Sequence, residues 1–174
     1  MKTVIVHDSR YGNGARVADA FRDVWEEAGD EVVVAHVSQY DPARLVGDAP
    51  DLVVVGAAVR MFSVSRASKR WMSRAARELR VRGTRVPHAT TFLTHGLDLD
   101  RIVAKGDRLR RRMCTCCVAT SVYPDWLSAK VTGTQGPLAD GTLDRARRFA
   151  GAVREWALSD DTPGAASAVP TRRM

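Results

Sequence analysis

The feature that most constrains the fold is an alternation of short β-branched runs with longer amphipathic segments. The strand-like runs span 2–6, 31–37, 51–56, 88–95 and 116–122. The third of them, DLVVVG, is almost continuously apolar, as expected of a parallel strand that is covered on both faces. Strands that alternate with helices over this length predict an α/β protein with a doubly wound parallel sheet.

The segments between these runs predict helices that each carry one apolar stripe. In the first, Ala18, Phe21 and Trp25 recur three or four residues apart, and Gly29 follows as a stop signal. The other predicted helices span about 64–79, 99–112 and 143–156. We expect the aromatic residues of these stripes in the core and not at a ligand.

Length and composition suit one domain. Of the 174 residues, 45% are hydrophobic and 27% are charged, which is typical of a globular chain and not of a disordered one. We assign residues 1–158 to a single domain and predict a disordered tail over 159–174, which is small, polar and proline-containing. No apolar run approaches the ~20 residues of a membrane span, and no signal peptide is recognisable, so we expect a cytoplasmic protein.

Three cysteines form one cluster, Cys114, Cys116 and Cys117. A disulfide framework would spread an even number along the chain, and a zinc site would need further ligands nearby, so we expect neither of them. We interpret the cysteines as small apolar residues entering the fifth strand. A redox role for the pair Cys116–Cys117 is the alternative.

The net charge of +7 is unevenly distributed. Lys and Arg number 5 against 9 Asp and Glu over 1–50, but 9 against 4 over 51–100 and 10 against 4 over 101–150. The basic middle of the chain would suit an acidic partner protein or an anionic substrate. A solvated helix face is the plainer interpretation of the same arginines.

Ligands of doubly wound sheets bind beyond the carboxyl ends of the strands, so the loops after the first, third and fourth strands are candidates. The first of these loops contains Gly12 and Gly14, but Val17 stands where a dinucleotide-binding loop has its third glycine. No carboxylate closes the second strand, and the G-K-[ST] of a nucleoside-triphosphate loop is missing. A loop around one phosphate fits better, with hydroxyls from Ser9 and Tyr11 and backbone N–H groups at the helix start.

The stretch DSRYGNGARVADAF resembles the FMN-phosphate loop of flavodoxin-like proteins in its variant SSRYGNT. The residues that match this variant in order are Ser9, Arg10, Tyr11, Gly12 and Asn13. Gly14 departs from it, because the family usually has a threonine there whose hydroxyl binds phosphate. A similar form of the loop occurs in menaquinone-linked protoporphyrinogen oxidases.

Two further stretches resemble the flavin loops of the same family. APDLVVVGAAVRMF is similar to YDLVVVGSPVRMG, which implies a segment along the isoalloxazine ring made of Ala57, Ala58, Val59, Arg60 and Met61. Met61 or Phe62 would pack on the ring, or else both only anchor the next helix. TFLTHGLDLD implies that Thr94, His95 and Gly96 approach the pyrimidine edge.

His95 is the most testable of these residues. A donor at that edge would stabilise the reduced, anionic flavin, and protonation of His95 would link redox potential to pH. A structural hydrogen-bonding role is the alternative. Over 98–127 the resemblance is weakest, and there we place Tyr123, Pro124 or Trp126 on the substrate side of the flavin from their position in the fold alone.

The resemblance implies a flavodoxin-like three-layer fold with a five-stranded parallel sheet in the order 2-1-3-4-5, and FMN as cofactor. It implies an oxidoreductase of the quinone or porphyrinogen type, or an electron-transfer protein. The expected partners are a redox protein, a small quinone or an anionic substrate; no catalytic side chain or metal is expected. The alternative is a flavodoxin-fold protein that has lost FMN and acts as a binding or regulatory module.

We do not expect nucleic-acid binding, because the basic residues are not interleaved with aromatic ones and Trp71 lies on an apolar stripe. The sequence leaves open whether the chain forms a homodimer.

Overall fold

The computed structural model describes residues 1–116, 118–133 and 135–160. The predicted tail falls outside them over 161–174, whereas Ser159 and Asp160 belong to the last helix. Cys117 also lies outside the described residues. None of the helices in the described part is long and apolar enough to cross a membrane.

Strands and helices alternate along the chain. The strands are β1 (Lys2–His7), β2 (Glu31–His36), β3 (Leu52–Arg60), β4 (Ser63–Val64), β5 (Val86–His95), β6 (Ala119–Val122) and β7 (Leu127–Lys130). The helices are α1 (Asn13–Glu27), α2 (Arg44–Asp48), α3 (Arg66–Val81), α4 (Leu99–Cys116) and α5 (Thr142–Asp160).

The main sheet is parallel, and its strands lie in the order β2-β1-β3-β5-β6. β6 pairs with the first half of β5 and β7 with the second half, so together they occupy one edge position. The predicted order 2-1-3-4-5 is therefore confirmed, with the fifth strand interrupted. β4 adds a short antiparallel hairpin to the carboxyl end of β3.

Helices cover both faces of the sheet and complete three layers. On one face, Trp71, Met72 and Leu79 of α3 pack with the side chains of β1, β3 and β5 that point toward this face. On the other, Phe21 and Trp25 of α1 pack with Ala150 of α5 and the opposite side chains of the same strands. The apolar stripes predicted for the first, second and last helices are thus confirmed as core.

The prediction that the cysteines enter the fifth strand is wrong for the two described ones. Cys114 and Cys116 lie in the last turn of α4, where Cys114 is exposed and Cys116 packs partly buried on the core. The helix continues this far because its apolar stripe extends past Leu109 and Met113, both buried. The strand itself begins only at Ala119.

Candidate functional site

A cavity of about 580 Å³ opens at the carboxyl ends of β1, β3, β5 and β7. Four segments line it: the first loop (residues 9–14), the hairpin between β3 and β4 (58–62), the third loop (94–97) and a fourth wall after β7 (131–133). The three segments selected from the sequence are therefore neighbours in space. A volume of this size lies within the range of small-molecule and cofactor sites.

The first loop ends in a left-handed glycine and leads directly into α1. Gly12, with φ of 82°, is the N-cap residue and has no side chain of its own to cap the helix. The Ser9 hydroxyl accepts a hydrogen bond from the Gly14 N–H at 2.9 Å. The remaining first-turn N–H groups and the helix dipole make this helix start a favourable place for an anion.

The absence of a side chain at Gly14 follows from this contact. A Cβ atom at Gly14 would lie 3.2 Å from Ser9 Cβ, which is tighter than most side-chain contacts, and 3.4 Å from Ser9 Oγ, which is at the limit of ordinary contact. Glycine thus lets the Ser9 hydroxyl reach the helix backbone. A threonine at this position, as in the motif that the loop resembles, would require Ser9 to shift slightly.

Asp8 connects the first loop to the hairpin. Its buried carboxylate accepts from the Ala58 N–H at 2.8 Å and from Arg60 Nη1 at 3.2 Å. Arg60 Nη2 also donates to the Asp8 carbonyl oxygen at 2.6 Å. Since the Ala58 carbonyl accepts from the Ser65 N–H at 2.9 Å, both backbone groups of Ala58 are already bonded within the protein.

The hairpin turns through two apolar residues in left-handed backbone conformation. Met61 has φ of 46° and Phe62 φ of 64°, between the paired residues Arg60 and Ser63. Two-residue hairpin turns of this kind usually contain Asn-Gly, and each left-handed residue with a side chain costs about 1–2 kcal/mol. Met61 is 94% and Phe62 67% exposed. Strain and exposed apolar surface together are typical of a functional segment.

The third loop holds His95 through protein contacts. Its Nε2 lies 2.7 Å from the Ser128 hydroxyl, and its Nδ1 lies 3.2 Å from the Leu97 N–H and 3.1 Å from the Leu97 carbonyl. Burial lowers the pKa of His95, and the charge of Lys130 adds to this, whereas the bond to Leu97 opposes it. The imidazole is therefore neutral near pH 7 and structurally engaged, which favours the hydrogen-bonding role over the redox-linked one.

The fourth wall was not predicted from the sequence. Val131, Thr132 and Gly133 follow β7, whose four residues, LSAK, are too few and too mixed to be recognised as a strand. Asn13 Nδ2 donates to the Gln135 carbonyl at 2.9 Å, so the first loop is also bonded to the turn that follows this wall. The turn-forming composition of TGTQGP was the available signal.

The structure places most of the predicted site residues at the cavity. The lining includes Ser9, Arg10, Tyr11, Asn13, Gly14, Ala58, Val59, Arg60, Met61, Thr94, His95 and Gly96. Two predicted residues are not in the lining. Gly12 supplies only the backbone conformation of the helix start, and Ala57 is buried in the core because alternate residues of β3 face opposite sides.

Tyr123, Pro124 and Trp126, which we placed on the substrate side of the ligand, are not among the described residues that line the cavity. Trp126 packs on Gly106 of α4, and its Nε1 donates to Asp107 at 3.1 Å. Tyr123 packs edge-on against Phe149 of α5. The interruption of the edge strand turns these side chains onto the two helix layers, away from the cavity.

The charged residues in the lining are both cationic. They are Arg10 and Arg60, and no carboxylate lies among the lining residues that the structure describes. Arg60 is balanced by Asp8, whereas the one contact that Arg10 makes within the described residues is with the Tyr11 ring. The cavity therefore favours a ligand that carries negative charge.

Comparisons with known proteins support the fold. No family model and no curated protein matches the sequence. Among solved structures, oxidised flavodoxin 1 from Bacillus cereus is 16% identical, with a TM-score of 0.67 over 89% of this chain and 98% of that one. A WrbA-like flavodoxin from Agrobacterium tumefaciens is 14% identical, with a TM-score of 0.69 over 91% and 98%.

The chain also matches part of a longer protein. Rubredoxin oxygen:oxidoreductase from Desulfovibrio gigas is 11% identical, with a TM-score of 0.70 over 92% of this chain. The match spans 37% of that longer chain. At these identities the comparisons establish a flavodoxin-like fold.

Proposed function

We propose that the chain binds FMN and acts as an electron-transfer protein or oxidoreductase. The observation that carries this proposal is a helix start, with a glycine as its N-cap residue, that opens onto a cavity flanked by strained, exposed apolar residues. The first loop suits a terminal phosphate, and the hairpin suits a flat apolar ring system. Structural neighbours that are flavodoxins support the same cofactor.

The residues present fit FMN, although the usual threonine is missing. The phosphate would lie at the start of α1, held by the first-turn N–H groups, the Ser9 hydroxyl and Arg10. The ring would lie between the hairpin and the third loop, with Met61, Phe62 and Tyr11 as the available apolar surfaces. When bound, FMN supplies one-electron or two-electron transfer, and the protein supplies binding and electrostatics.

The chain's own residues would exclude water and set the local charge. The apolar side chains at the hairpin tip would cover the ligand. The backbone groups of Ala58 are already bonded, and Arg60 pairs with Ser63 within the hairpin. His95 would serve by fixing the third loop through Ser128 and Leu97. We therefore assign it no proton transfer.

The cationic lining supports an anionic or quinone-type second substrate within this proposal. A porphyrinogen with carboxylate side chains belongs to that class, as the resemblance of the first loop to protoporphyrinogen oxidases implies. A redox partner protein, as the donor or the acceptor of electrons, is the alternative to such a small substrate.

Titration of the purified, cofactor-free chain with FMN, followed by quenching of flavin fluorescence, tests the proposal. We expect a dissociation constant in the micromolar range or below. Riboflavin, which lacks the phosphate, should bind at least about tenfold more weakly if the helix start holds the phosphate. No saturable binding of FMN would contradict the proposal and favour a binding or regulatory module that has lost the cofactor.

A variant pair locates the phosphate. Ser9→Ala removes a hydroxyl from the first loop and should weaken FMN binding while leaving riboflavin binding unchanged. Ser73→Ala is the control, because Ser73 is an exposed serine on α3 that does not line the cavity, and its hydroxyl bonds to Arg112 of α4. Equal loss of FMN and riboflavin binding in Ser9→Ala would place the phosphate elsewhere.

A further inference from the structure

The helices on the two faces of the sheet differ sharply in charge. α3 carries six cations and one anion and α4 six cations and two anions, a net +9 for the two helices. α1 carries two cations and four anions and α5 four cations and three anions, a net −1. Each pair of helices covers one face of the same sheet, so packing against the sheet does not by itself explain the difference in charge.

The cations of α3 and α4 form two ridges. On α3 the ridge consists of Arg66, Arg70, Arg74 and Arg77, and on α4 of Arg101, Lys105, Arg108 and Arg112. A spacing of three or four residues places neighbouring cations on one side of a helix, about 5–6 Å apart. The two helices are in contact, and Arg112 Nη2 donates to the Ser73 hydroxyl of α3 at 2.7 Å.

Most of these cations have no internal counter-charge. Arg66, Arg70, Arg77, Arg101, Lys105 and Arg108 form no ion pair within the described part of the chain, and five of these six are exposed. Arg74 makes only a surface pair with Asp41 at 3.4 Å. Like charges at this spacing repel one another, so the arrangement costs stability in the isolated chain.

Both ridges begin at the mouth of the cavity. The Ser65 side chain caps α3 immediately after the hairpin, with the Ala67 N–H 3.1 Å from its oxygen. α4 begins directly after the third loop, two residues beyond Leu97. A molecule that lies along the ridges therefore reaches the edge of the cavity.

We propose that the face formed by α3 and α4 docks a carboxylate-rich protein partner. Guanidinium groups bind carboxylates through paired hydrogen bonds, and two parallel ridges on packed helices match an extended protein surface. Such charge complementarity guides partners to an electron-transfer site and leaves their complexes short-lived. The role of the partner rests on the proposed function, whereas the docking itself does not.

A nucleic acid is the less suitable occupant. On the described surface of α3 and α4 no aromatic side chain is exposed to stack on bases, since Trp71 is buried. The cations lie on two adjacent helices and not on one protruding helix that could enter a major groove. Preferential binding of a DNA duplex would therefore contradict the proposal of a carboxylate-rich protein partner.

Fluorescein-labelled poly-L-glutamate is a suitable probe, with a labelled DNA duplex measured beside it by fluorescence anisotropy. Arg70→Gln combined with Arg108→Gln removes one exposed cation from each ridge. We expect it to weaken polyglutamate binding about tenfold at low salt. The matched control Arg147→Gln with Arg148→Gln changes the net charge equally on α5 and should weaken binding about twofold or less.

Equal losses in the two double variants would show that only net charge matters and would overturn the proposal. Tighter binding of the duplex than of polyglutamate at the same salt would also overturn it, as would self-association of the chain through these arginines. Polyglutamate binding is measured with and without FMN, so that the docking face is tested separately from the proposed FMN binding. Polyglutamate binding without FMN binding would leave the docking face standing while the proposed function fails.

Discussion

Two buried aspartates, each paired with an arginine, lie at opposite ends of the sheet. Asp30 precedes β2 at the amino end and accepts from Arg154 Nε at 2.7 Å and from the terminal ammonium of Met1 at 3.0 Å. Asp8 follows β1 at the carboxyl end and accepts from Arg60 Nη1 at 3.2 Å. The two carboxylates are almost equally buried, at 2% and 3% exposed.

The difference lies in what each pair holds. Arg154 extends from α5, a long helix packed on the core, so the pair at the amino end connects two rigid elements. Arg60 begins a hairpin turn beside an open cavity, and Asp8 also binds the Ala58 N–H there. The same kind of ion pair therefore joins two packed elements at one end of the sheet and holds one wall of the cavity at the other.

The largest effect that tests this comparison is expected at the amino end. Asp30→Asn should lower the free energy of unfolding by about 3 kcal/mol, because it leaves Arg154 and the terminal ammonium without their buried partner. Urea denaturation measures it, and FMN binding should not change. Asp41→Asn, which removes a surface pair and keeps an oxygen for the Ala43 N–H, should cost less than about 0.5 kcal/mol. A loss of FMN affinity in Asp30→Asn would break the comparison.

The same pair predicts a pH dependence. Burial raises the pKa of Asp30, but the hydrogen bonds and charges of Arg154 and the terminal ammonium outweigh it, so the pKa of Asp30 is lowered overall. Its contribution to stability is therefore present above the unfolded-state pKa of about 3.9 and is lost as the pH falls through the lower folded pKa. The stability gap between wild type and Asp30→Asn should shrink on acidification below about pH 4. A gap that stays constant would contradict this assignment.

At the carboxyl end, Asp8 and Arg60 should behave as a coupled pair. Asp8→Asn keeps an oxygen for the Ala58 N–H and should cost about 1 kcal/mol of stability. Arg60→Met leaves the buried Asp8 carboxylate unpaired and should cost about 2 kcal/mol. Each single variant should weaken FMN binding about tenfold by releasing the hairpin.

The double variant sharpens the test. Asp8→Asn with Arg60→Met leaves no unpaired charge, so its stability should be close to that of Asp8→Asn alone. Additive losses of stability, measured by the same urea denaturation, would show that the two side chains are independent. Unchanged FMN binding in both single variants would show that the pair does not shape the ligand site.

Substitutions at the hairpin tip should raise the stability of the protein, whereas the preceding variants lower it. Met61→Asn with Phe62→Gly places the preferred residues in the left-handed turn and should raise the free energy of unfolding by about 1 kcal/mol. It also removes two exposed apolar side chains, so FMN binding should weaken. A thermal melt and a flavin titration measure the two effects. Tighter FMN binding would indicate that the tip does not contact the ring.

The smallest effect is expected at Gly14. Gly14→Thr restores the residue of the family motif but brings a Cβ within 3.2 Å of Ser9 Cβ. We expect a loss below about 1 kcal/mol in stability and no gain in FMN affinity. Gly14→Ala is the matched control, because it adds the same Cβ without the hydroxyl. Tighter binding by the threonine variant than by wild type would show that Ser9 does not need this space.

Local patterns were sufficient to predict much of the molecule. The periodicity around Phe21 and Trp25 predicted a core helix because burial of a stripe depends on spacing along one segment. The glycines near Ser9 predicted a loop at a strand end for the same local reason. β7 was missed because an edge segment of four residues gains its structure from pairing with β5, not from its own composition.

By itself, the sequence determined the parallel α/β class, the helix faces and three of the four segments around the cavity. Only the tertiary structure decided that Ala58 lines the cavity while Ala57 faces the core, because the direction of a strand residue depends on the layers around the sheet. It also decided that Asp8 meets Arg60 and that His95 bonds to Ser128. These partners are far apart in the chain, and only the order of the strands brings them within hydrogen-bonding distance.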